Sequence, residues 1–205
     1  MPRLFLLSFY HPIEALDILK RERTTLKWRH ILFLYVAAVL VRVFYIFVVH
    51  YPLQDVSLED INIFFELVKL LGPVLSWAIA SYMITSILDG ETTIKETLVS
   101  TAYSLVPYVV FTPLIALASH VLSLSDGGLY GAMQGLVYVW MIIYLIIAFQ
   151  RLNDYSFYKT LGVGLLSLIF MILLWALLLL FVALSVQAYH FFEIIYKEIS
   201  LKYMI

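Results

Sequence analysis

Five long apolar stretches dominate the sequence, and they limit what the chain can fold into more than any other feature does. A helix needs about 20 mostly apolar residues to cross the hydrocarbon core of a bilayer. Hydrophobic residues make up 63% of the chain and charged residues only 13%, whereas soluble domains contain about 45–50% apolar residues. We therefore predict an all-α integral membrane protein, a five-span helical bundle with short amphipathic interfacial helices. The predicted spans are 31–49, 72–88, 102–122, 130–149 and 161–187.

Positive charges are concentrated on one side of this predicted arrangement. With five spans, the N-terminal segment shares a side with the loops 89–101 and 150–160, and this side holds nine Lys and Arg residues against three on the other. Because loops rich in Lys and Arg stay in the cytoplasm, we predict a multi-pass cell-membrane protein with a cytoplasmic N-terminus and an outside C-terminus. The net charge of −1 gives no reason to expect nucleic-acid binding. We divide the chain into three parts: a cytoplasmic basic amphipathic segment at 1–30, a five-span membrane domain at 31–190 and a C-terminal amphipathic tail at 191–205.

Three segments next to the spans have the pattern of amphipathic helices that lie on a membrane surface. Residues 12–23 combine a short apolar stripe with a basic end, which suits an anionic cytoplasmic leaflet. Residues 57–71 have Ser57 as predicted N-cap, and Gly72-Pro73 separates them from the second span. Residues 188–205 form the third segment, and ordinary span flanks are the alternative interpretation for all three. The basic residues that we predict to contact lipids or a protein partner are Lys20, Arg21, Arg23, Lys27 and Arg29.

The third predicted span begins with a cap typical of soluble helices and contains two prolines. Thr93 and Glu96 have the spacing of a capping box, which starts the helix before it enters the membrane. Pro107 and Pro113 each remove a backbone hydrogen bond and favour a kink. Because carbonyl groups freed in lipid need partners, we expect this span to pack inside the bundle.

A weak repeat links this segment to the start of the fifth span. The sequences TTIKETL at 92–98 and YSFYKTL at 155–161 align without gaps, and the same alignment pairs Trp77 with Trp140. It suggests two helical hairpins made by duplication, one of spans two and three and one of spans four and five. A general preference of helix starts for Thr or Ser caps explains the same similarity without duplication.

Arg42 lies near the middle of the first predicted span, where inserting an Arg costs roughly 2.5–3.5 kcal/mol. No acidic residue lies mid-span, so its partners are backbone carbonyl groups freed by the prolines, tyrosines, or Glu66 and Asp126 near the outer surface. A functional polar site for an anion, a substrate or a partner helix is one interpretation. The other is an Arg that snorkels along its helix to a polar group. The candidate intramembrane polar site consists of Arg42, Tyr103, Pro107, Tyr108 and Pro113.

The sequence contains no pattern typical of a catalytic or cofactor site. It has no Cys, no His-Glu-x-x-His, no Gly-x-Ser-x-Gly and no phosphate-binding Gly-rich loop. His50, His120 and His190 all lie at predicted outer ends of spans, where three imidazoles could bind a metal, but interfacial histidines are common. We therefore predict no enzyme activity, no cofactor and no metal site. Gly131 and Gly135 form a Gly-x-x-x-Gly motif, which favours close helix contact.

The chain resembles the Yip (Ypt-interacting protein) family, specifically its prokaryotic branch. The resemblance is carried by SFYHPIEALDILKRERTT before the first span, DGETTIKETLVSTAYSLVPYVVFTP around the third and QRLNDYSFYKTLGVGLL entering the fifth. It implies a five-span membrane domain with a cytoplasmic N-terminus. Eukaryotic members are implied to organise membranes and bind prenylated GTPases, but their Asp-Leu-Tyr-Gly-Pro type motif is absent here. Only Asp126-Gly127-Gly128-Leu129-Tyr130-Gly131 approaches it, with a different spacing and on the predicted outer side.

Three functions remain after these observations. The first is a non-enzymatic membrane protein that binds protein partners, including further copies of itself, or organises the bilayer. The alternative is a small transporter or an accessory subunit of a transport complex, with a polar route near Arg42 and the broken third span. The third is an intramembrane enzyme, for which the sequence offers no recognisable acid, base, nucleophile or ligand set.

Overall fold

The described part of the chain is almost entirely helical. In the computed structural model this part comprises residues 7, 10–21, 28–50, 53, 61–88 and 90–203. Five helical segments are long and apolar enough to cross a membrane, which confirms the predicted all-α, five-span architecture. The helices are α1 (Pro12–Arg21), α2 (Trp28–Val48), α3 (Ile63–Ile87), α4 (Ile94–Ser104), α5 (Val106–Ala118), α6 (Gly127–Asn153) and α7 (Phe157–Tyr203).

The third span lies at the centre of the bundle, as predicted. Residues Ile94–Ala118, which form α4 and α5, are 61% buried, whereas the fifth span, Phe157–Lys197, is 6% buried. We call the end of the bundle that holds α1 and the connectors 88–93 and 154–156 the connector end. The other end, which holds residues 119–126, is the far end.

The predicted capping box starts α4 at the connector end. Glu96 donates its backbone N–H to Thr93 Oγ1 at 3.4 Å, and the Thr93 backbone N–H donates to the Glu96 carboxylate at 2.8 Å. The third span is then interrupted at Leu105, and α5 begins at Val106. Pro107 therefore occupies the first turn of α5, where the missing N–H costs no helical hydrogen bond. Helix α5 continues through Pro113.

The two aligned helix starts have the same local geometry. The Thr97 hydroxyl donates to the Thr93 carbonyl at 3.1 Å, and the Thr160 hydroxyl donates to the Ser156 carbonyl at 3.0 Å. The aligned tryptophans differ, however, because Trp77 packs against Phe149 inside the bundle while Trp140 is 40% exposed. Duplication therefore stays a prediction.

The predicted break at Gly72-Pro73 was wrong. Helix α3 begins at Ile63, capped by the Asn62 side chain, and runs through Pro73 to Ile87 as one helix. Pro73 has no N–H to donate to the Lys69 carbonyl one turn earlier, and the Ser76 hydroxyl donates to the Gly72 and Pro73 carbonyls at 2.7 and 3.1 Å. The predicted cap Ser57 lies outside the described residues.

The predicted separate helix at 188–205 was also wrong, because α7 is one helix of 47 residues. Neither Gly nor Pro follows Gly164, so nothing in the sequence stops the helix. The predicted pair of Glu193 and Lys197 is formed, with the ammonium group donating to the carboxylate at 2.8 Å. The Glu198–Lys202 side chains lie outside the described part. The domain boundary at 190/191 stays a prediction, and the helix passes through it without interruption.

Close helix contact involves different glycines from those predicted. A Cβ atom placed on Gly131 or Gly135 would have no neighbour within 4 Å, so this motif makes no close contact among the described residues. On Gly72 it would lie 3.0 Å from the Trp175 ring, and on Gly90 it would lie 2.7 Å from Asn153 Oδ1 and 2.8 Å from the Tyr155 hydroxyl. Gly90 therefore permits the two connectors to pack together.

We predict that Gly90→Ala lowers the free energy of unfolding by about 1–3 kcal/mol, the usual cost of overpacking a filled site. Gly162→Ala is the matched control, because a Cβ atom there meets nothing within 4 Å. Unfolding titrations of both purified variants in mild detergent give the comparison. Equal stability of the two variants would contradict the tight packing at Gly90.

Candidate intramembrane site

Arg42 of α2 forms an ion pair with Glu66 in the first turn of α3. The guanidinium Nη2 donates to Glu66 Oε2, and the two side chains are 19% and 16% exposed. Lys69 donates to the other carboxylate oxygen at 2.6 Å, and the Arg42 Cζ atom lies 5.2 Å from the centre of the Tyr45 ring. The partner of Arg42 is therefore Glu66, one of the alternatives that the sequence left open.

The structure brings two of the five predicted site residues together. Arg42 and Tyr108 line the same small cavity, and the Tyr108 side chain is 1% exposed. Tyr103 instead packs in the core nearer the connector end, beside α1 and α2. Pro107 and Pro113 shape the third span but do not line the cavities around Arg42. The other acidic alternative, Asp126, accepts hydrogen bonds from Ser123.

Three further polar residues at the site were missed by the sequence analysis. The Tyr45 hydroxyl oxygen accepts a hydrogen bond from the Tyr130 hydroxyl at 2.9 Å and another from the Gln134 amide. Tyr130 and Gln134 are four residues apart on α6, and Tyr45 is one turn from Arg42. This helical spacing places Tyr130 and Gln134 on one face of α6, and Arg42 and Tyr45 on one face of α2. It is the sequence pattern from which these residues could have been predicted.

Three cavities meet at Arg42 and Tyr138. The polar chamber, of about 590 Å³, opens towards the far end and is lined by Tyr45, Glu66, Lys69, Tyr130 and Gln134. The apolar groove, of about 500 Å³, runs between three helices and is lined by Val74, Trp77, Met141, Leu145, Leu168 and Met171. The inner cleft, of about 10 Å³, is lined by Tyr45, Tyr108, Thr112 and Gln134. We call their meeting point the Arg42 junction.

Two buried polar atoms at the junction have no hydrogen-bond partner in the described part of the chain. They are Nε of Arg42 and the hydroxyl oxygen of Tyr108. Leaving a buried donor unpaired costs about 1–3 kcal/mol, so buried polar groups without a protein partner point to a partner from outside the chain. The Arg42 and Tyr108 side chains interact with each other, and the inner cleft beside them, of about 10 Å³, has room for about one water molecule.

The three predicted outer histidines do not meet at one point. The rings of His50 and His120 lie edge to face with centres 5.6 Å apart, and His120 Nε2 is 2.7 Å from the Val48 carbonyl oxygen. His190 lies on α7, with Nδ1 3.6 Å from Glu193. Within the described ranges, no three His, Asp or Glu side chains are grouped to hold a metal ion.

The predicted basic contact surface is partly used within the chain. The apolar side of α1 packs on the bundle, with Leu16 and Leu19 fully buried against residues of α2, α4 and α6. The ammonium group of Lys20 pairs with Asp154 and lies 3.7 Å from Glu91, which joins α1 to both connectors. Arg21 and Arg29 are exposed. Arg23 and Lys27 lie outside the described residues, and the contact surface stays a prediction.

A comparison with known protein families supplies the identity of this bundle. The model of the Yip1 domain matches residues 6–189. The chain belongs to the Yip1 domain family. It is a multi-pass membrane protein with five candidate spans, and its placement in the prokaryotic branch stays a prediction. No curated protein and no solved structure matches the chain.

In this Yip1 domain the Arg42–Glu66 pair joins the first and second spans. The Arg42 side chain reaches the Glu66 carboxylate, 24 residues along the chain, which is compatible with an Arg that snorkels to a polar group as well as with a functional site, and the functional role stays a prediction. Glu66 in turn sits between two cations, Arg42 and Lys69. The net charge of Arg42, Glu66 and Lys69 is therefore positive. Arg42 and Lys69 line both the chamber and the groove.

We predict that Arg42→Met lowers the free energy of unfolding by about 3 kcal/mol, because it removes the less exposed partner of a largely buried carboxylate. Lys69→Met is the matched control. It removes a cation from the same carboxylate, but the Lys69 side chain is 68% exposed, and exposed pairs contribute about 1 kcal/mol or less.

Unfolding titrations in mild detergent check both values. The double variant Arg42→Met, Glu66→Leu should recover part of the loss, because no largely buried carboxylate is left with the exposed Lys69 as its remaining cation. Equal losses from the two single variants would show that the ion pair with Arg42 has no special role in stability.

Proposed function

We propose that this Yip1-domain protein is a non-enzymatic membrane protein that binds another membrane protein through the last part of α7. One observation carries the proposal: α7 is much longer than the membrane is thick. Its 47 residues correspond to a rod of about 70 Å, whereas the hydrocarbon core of a bilayer is about 30 Å thick.

The packing of α7 against α3 shows where the excess lies. Gly72 lies against Trp175, and the Trp175 indole N–H donates to the Ser76 hydroxyl at 3.1 Å. Nearer the connector end, Ile84 shares a core cluster with Val163. In this antiparallel register the first residue of α3, Ile63, lies level with about residue 184. The rest of α7 extends roughly 30 Å beyond it at 1.5 Å per residue.

The extending part of α7 is uncovered and rich in aromatic residues. Every residue from Ala176 to Phe192 is exposed, and Phe192 and Tyr196 are 67% and 75% exposed. Lipid covers the part of this surface that lies within the hydrocarbon core. Beyond it, exposed apolar surface of this kind marks an interaction site, and aromatic residues are enriched at protein interfaces. A membrane protein with an apolar helix beside α7 fits this surface.

The transporter alternative has weaker support. The cavities at Arg42 favour it, but they lie towards the far end. Between them and the connector end the core is filled by Ala38, Leu105, Val106 and Tyr144, all with 0% exposure. A polar route across the bundle would have to open this layer. The enzyme interpretation has no group of residues in its favour.

The proposed setting is the cell membrane, with the connector end in the cytoplasm. The basic residues of the N-terminal segment support this orientation, since α1 is docked at the connector end through Lys20. The C-terminal part of α7 would then meet its partner on the outer side.

We predict that a photo-crosslinking residue at Phe192 or Tyr196 gives a protein adduct of defined mass in native membranes. The same residue at Leu40, which is 63% exposed on α2, is the control for a surface that faces only lipid. Gel mobility and peptide mass spectrometry identify the adduct, and a mass of twice the chain would identify a second copy as the partner.

A second experiment tests whether the partner binds to Phe192 and Tyr196 themselves. The double variant Phe192→Ser, Tyr196→Ser should reduce co-purification of the crosslinked partner at least tenfold. The variant Glu193→Ala, Lys197→Ala, which removes the neighbouring ion pair, should leave it unchanged. Absence of protein adducts at both α7 positions would refute the proposal.

We predict that Val121→Cys is labelled by a membrane-impermeant maleimide on intact cells, whereas Glu91→Cys is labelled only after lysis. The natural chain has no Cys, so each variant reports one site. Val121 is 90% exposed at the far end, and the Glu91 side chain is 59% exposed at the connector end. The opposite labelling pattern would reverse the proposed orientation.

A further inference from the structure

The Arg42 junction has the polarity of an amphiphilic molecule. The polar chamber and the apolar groove lie side by side and share the lining residues Arg42, Lys69 and Tyr138. The chamber is lined in part by charged, amide and hydroxyl groups, and the groove mainly by aliphatic side chains and Trp77. Each volume falls within the range of about 300–1,000 Å³ that is typical of small-molecule sites.

The groups at the junction favour an anion. The Arg42 guanidinium can only donate hydrogen bonds, and it lines both the chamber and the groove. Tyr45, which also lines the chamber, accepts two hydrogen bonds, which leaves its hydroxyl proton available. With two cations and one carboxylate in contact, the charge of the cluster is +1. Phosphate and carboxylate groups are the ligands that such donors prefer.

The apolar groove is open to the membrane. Its walls belong to α3, α6 and α7, and α7 packs mainly against α3 and only slightly against α6. Ile142 on one wall and Leu168 on the other are 55% and 43% exposed. An acyl chain can therefore enter sideways from the bilayer, without passing through water.

We propose that the Arg42 junction binds the anionic head group of one membrane lipid, and that an acyl chain of this lipid lies in the apolar groove. The head group accepts hydrogen bonds from the Arg42 guanidinium and the Tyr45 hydroxyl and is attracted by Lys69. Glu66 holds the guanidinium in place and excludes a second anion. This site lies on α2, α3, α6 and the first half of α7 and is separate from the extending part of α7.

The test uses the full chain, purified in mild detergent and titrated with phosphatidylglycerol or with phosphatidylcholine that has identical acyl chains. Native mass spectrometry counts the bound lipids, and the Tm measures stabilisation, since a ligand that binds only the folded state raises it. We expect one phosphatidylglycerol per chain at saturation, bound at least tenfold more tightly than phosphatidylcholine.

Two pairs of variants locate the site. Lys69→Met removes one of the two cations at the junction. Because the Lys69 side chain is 68% exposed, the lipid-free Tm should change little, while the affinity for phosphatidylglycerol should fall about tenfold. Lys197→Met, which removes an equally exposed cation paired with Glu193 on α7, is its control and should leave the affinity unchanged. Met171→Trp should fill the groove and prevent binding, whereas Leu173→Trp, at a 53% exposed position outside it, should not. Ile142→Trp replaces Met171→Trp if that variant does not fold.

Four outcomes would overturn the proposal. Equal affinity for the two lipids would show that no anion is recognised. Equal stabilisation by inorganic phosphate alone would assign the junction to a soluble anion. A dimer that Met171→Trp abolishes would place a second copy in the groove. Unchanged phosphatidylglycerol binding in Lys69→Met and in both groove variants would place the lipid elsewhere.

Discussion

The need to satisfy polar groups in a medium without water decides the position of the third span, and the other helices are arranged around it. This span contains Thr97, Ser100, Thr101 and Ser104, which are at most 7% exposed, and each hydroxyl donates to a carbonyl one turn earlier. Such residues are tolerated in lipid only where protein covers them. A helix interrupted at Leu105 and lined with hydroxyl groups is therefore kept at the centre, and the uniform fifth span lies at the edge.

The same constraint gives Arg42 two roles at once. A guanidinium within a span needs an opposite charge, and Glu66 supplies it at the start of α3. The pair fixes α2 against α3, yet it uses only part of the guanidinium, whose Nε is left without a partner in the described part of the chain. A buried charge that is neutralised but incompletely hydrogen-bonded holds a structure together and still favours an additional anion. In the proposed lipid site, stability and binding would thus depend on one side chain.

The sequence predicted features that depend on local chemistry and missed those that depend on packing. Five apolar stretches, the Thr93–Glu96 cap and the interruption near Pro107 follow from composition and short-range spacing, and the structure confirms them. The continuity of α3 through Pro73, beside which Gly72 lies against Trp175 of a distant helix, does not follow from the local sequence. Which candidate partner Arg42 selects depends on helix rotation, which spacing within one segment does not specify. Gly131 and Gly135 have the motif for close contact, but in the described part of the chain no atom lies within 4 Å of a Cβ placed on either.

The tight packing around Gly90 has a consequence for the order in which the chain assembles. The connector between spans two and three is held by residues that follow span four: Thr92 donates to Asn153 at 2.7 Å, and the Tyr155 hydroxyl donates to the Leu88 carbonyl at 3.3 Å. A ribosome adds about 5–20 residues per second, so this connector waits several seconds for its partners after it is made. During synthesis the first hairpin therefore enters the membrane with an unfinished cytoplasmic edge if the orientation is as proposed, and the second hairpin completes it.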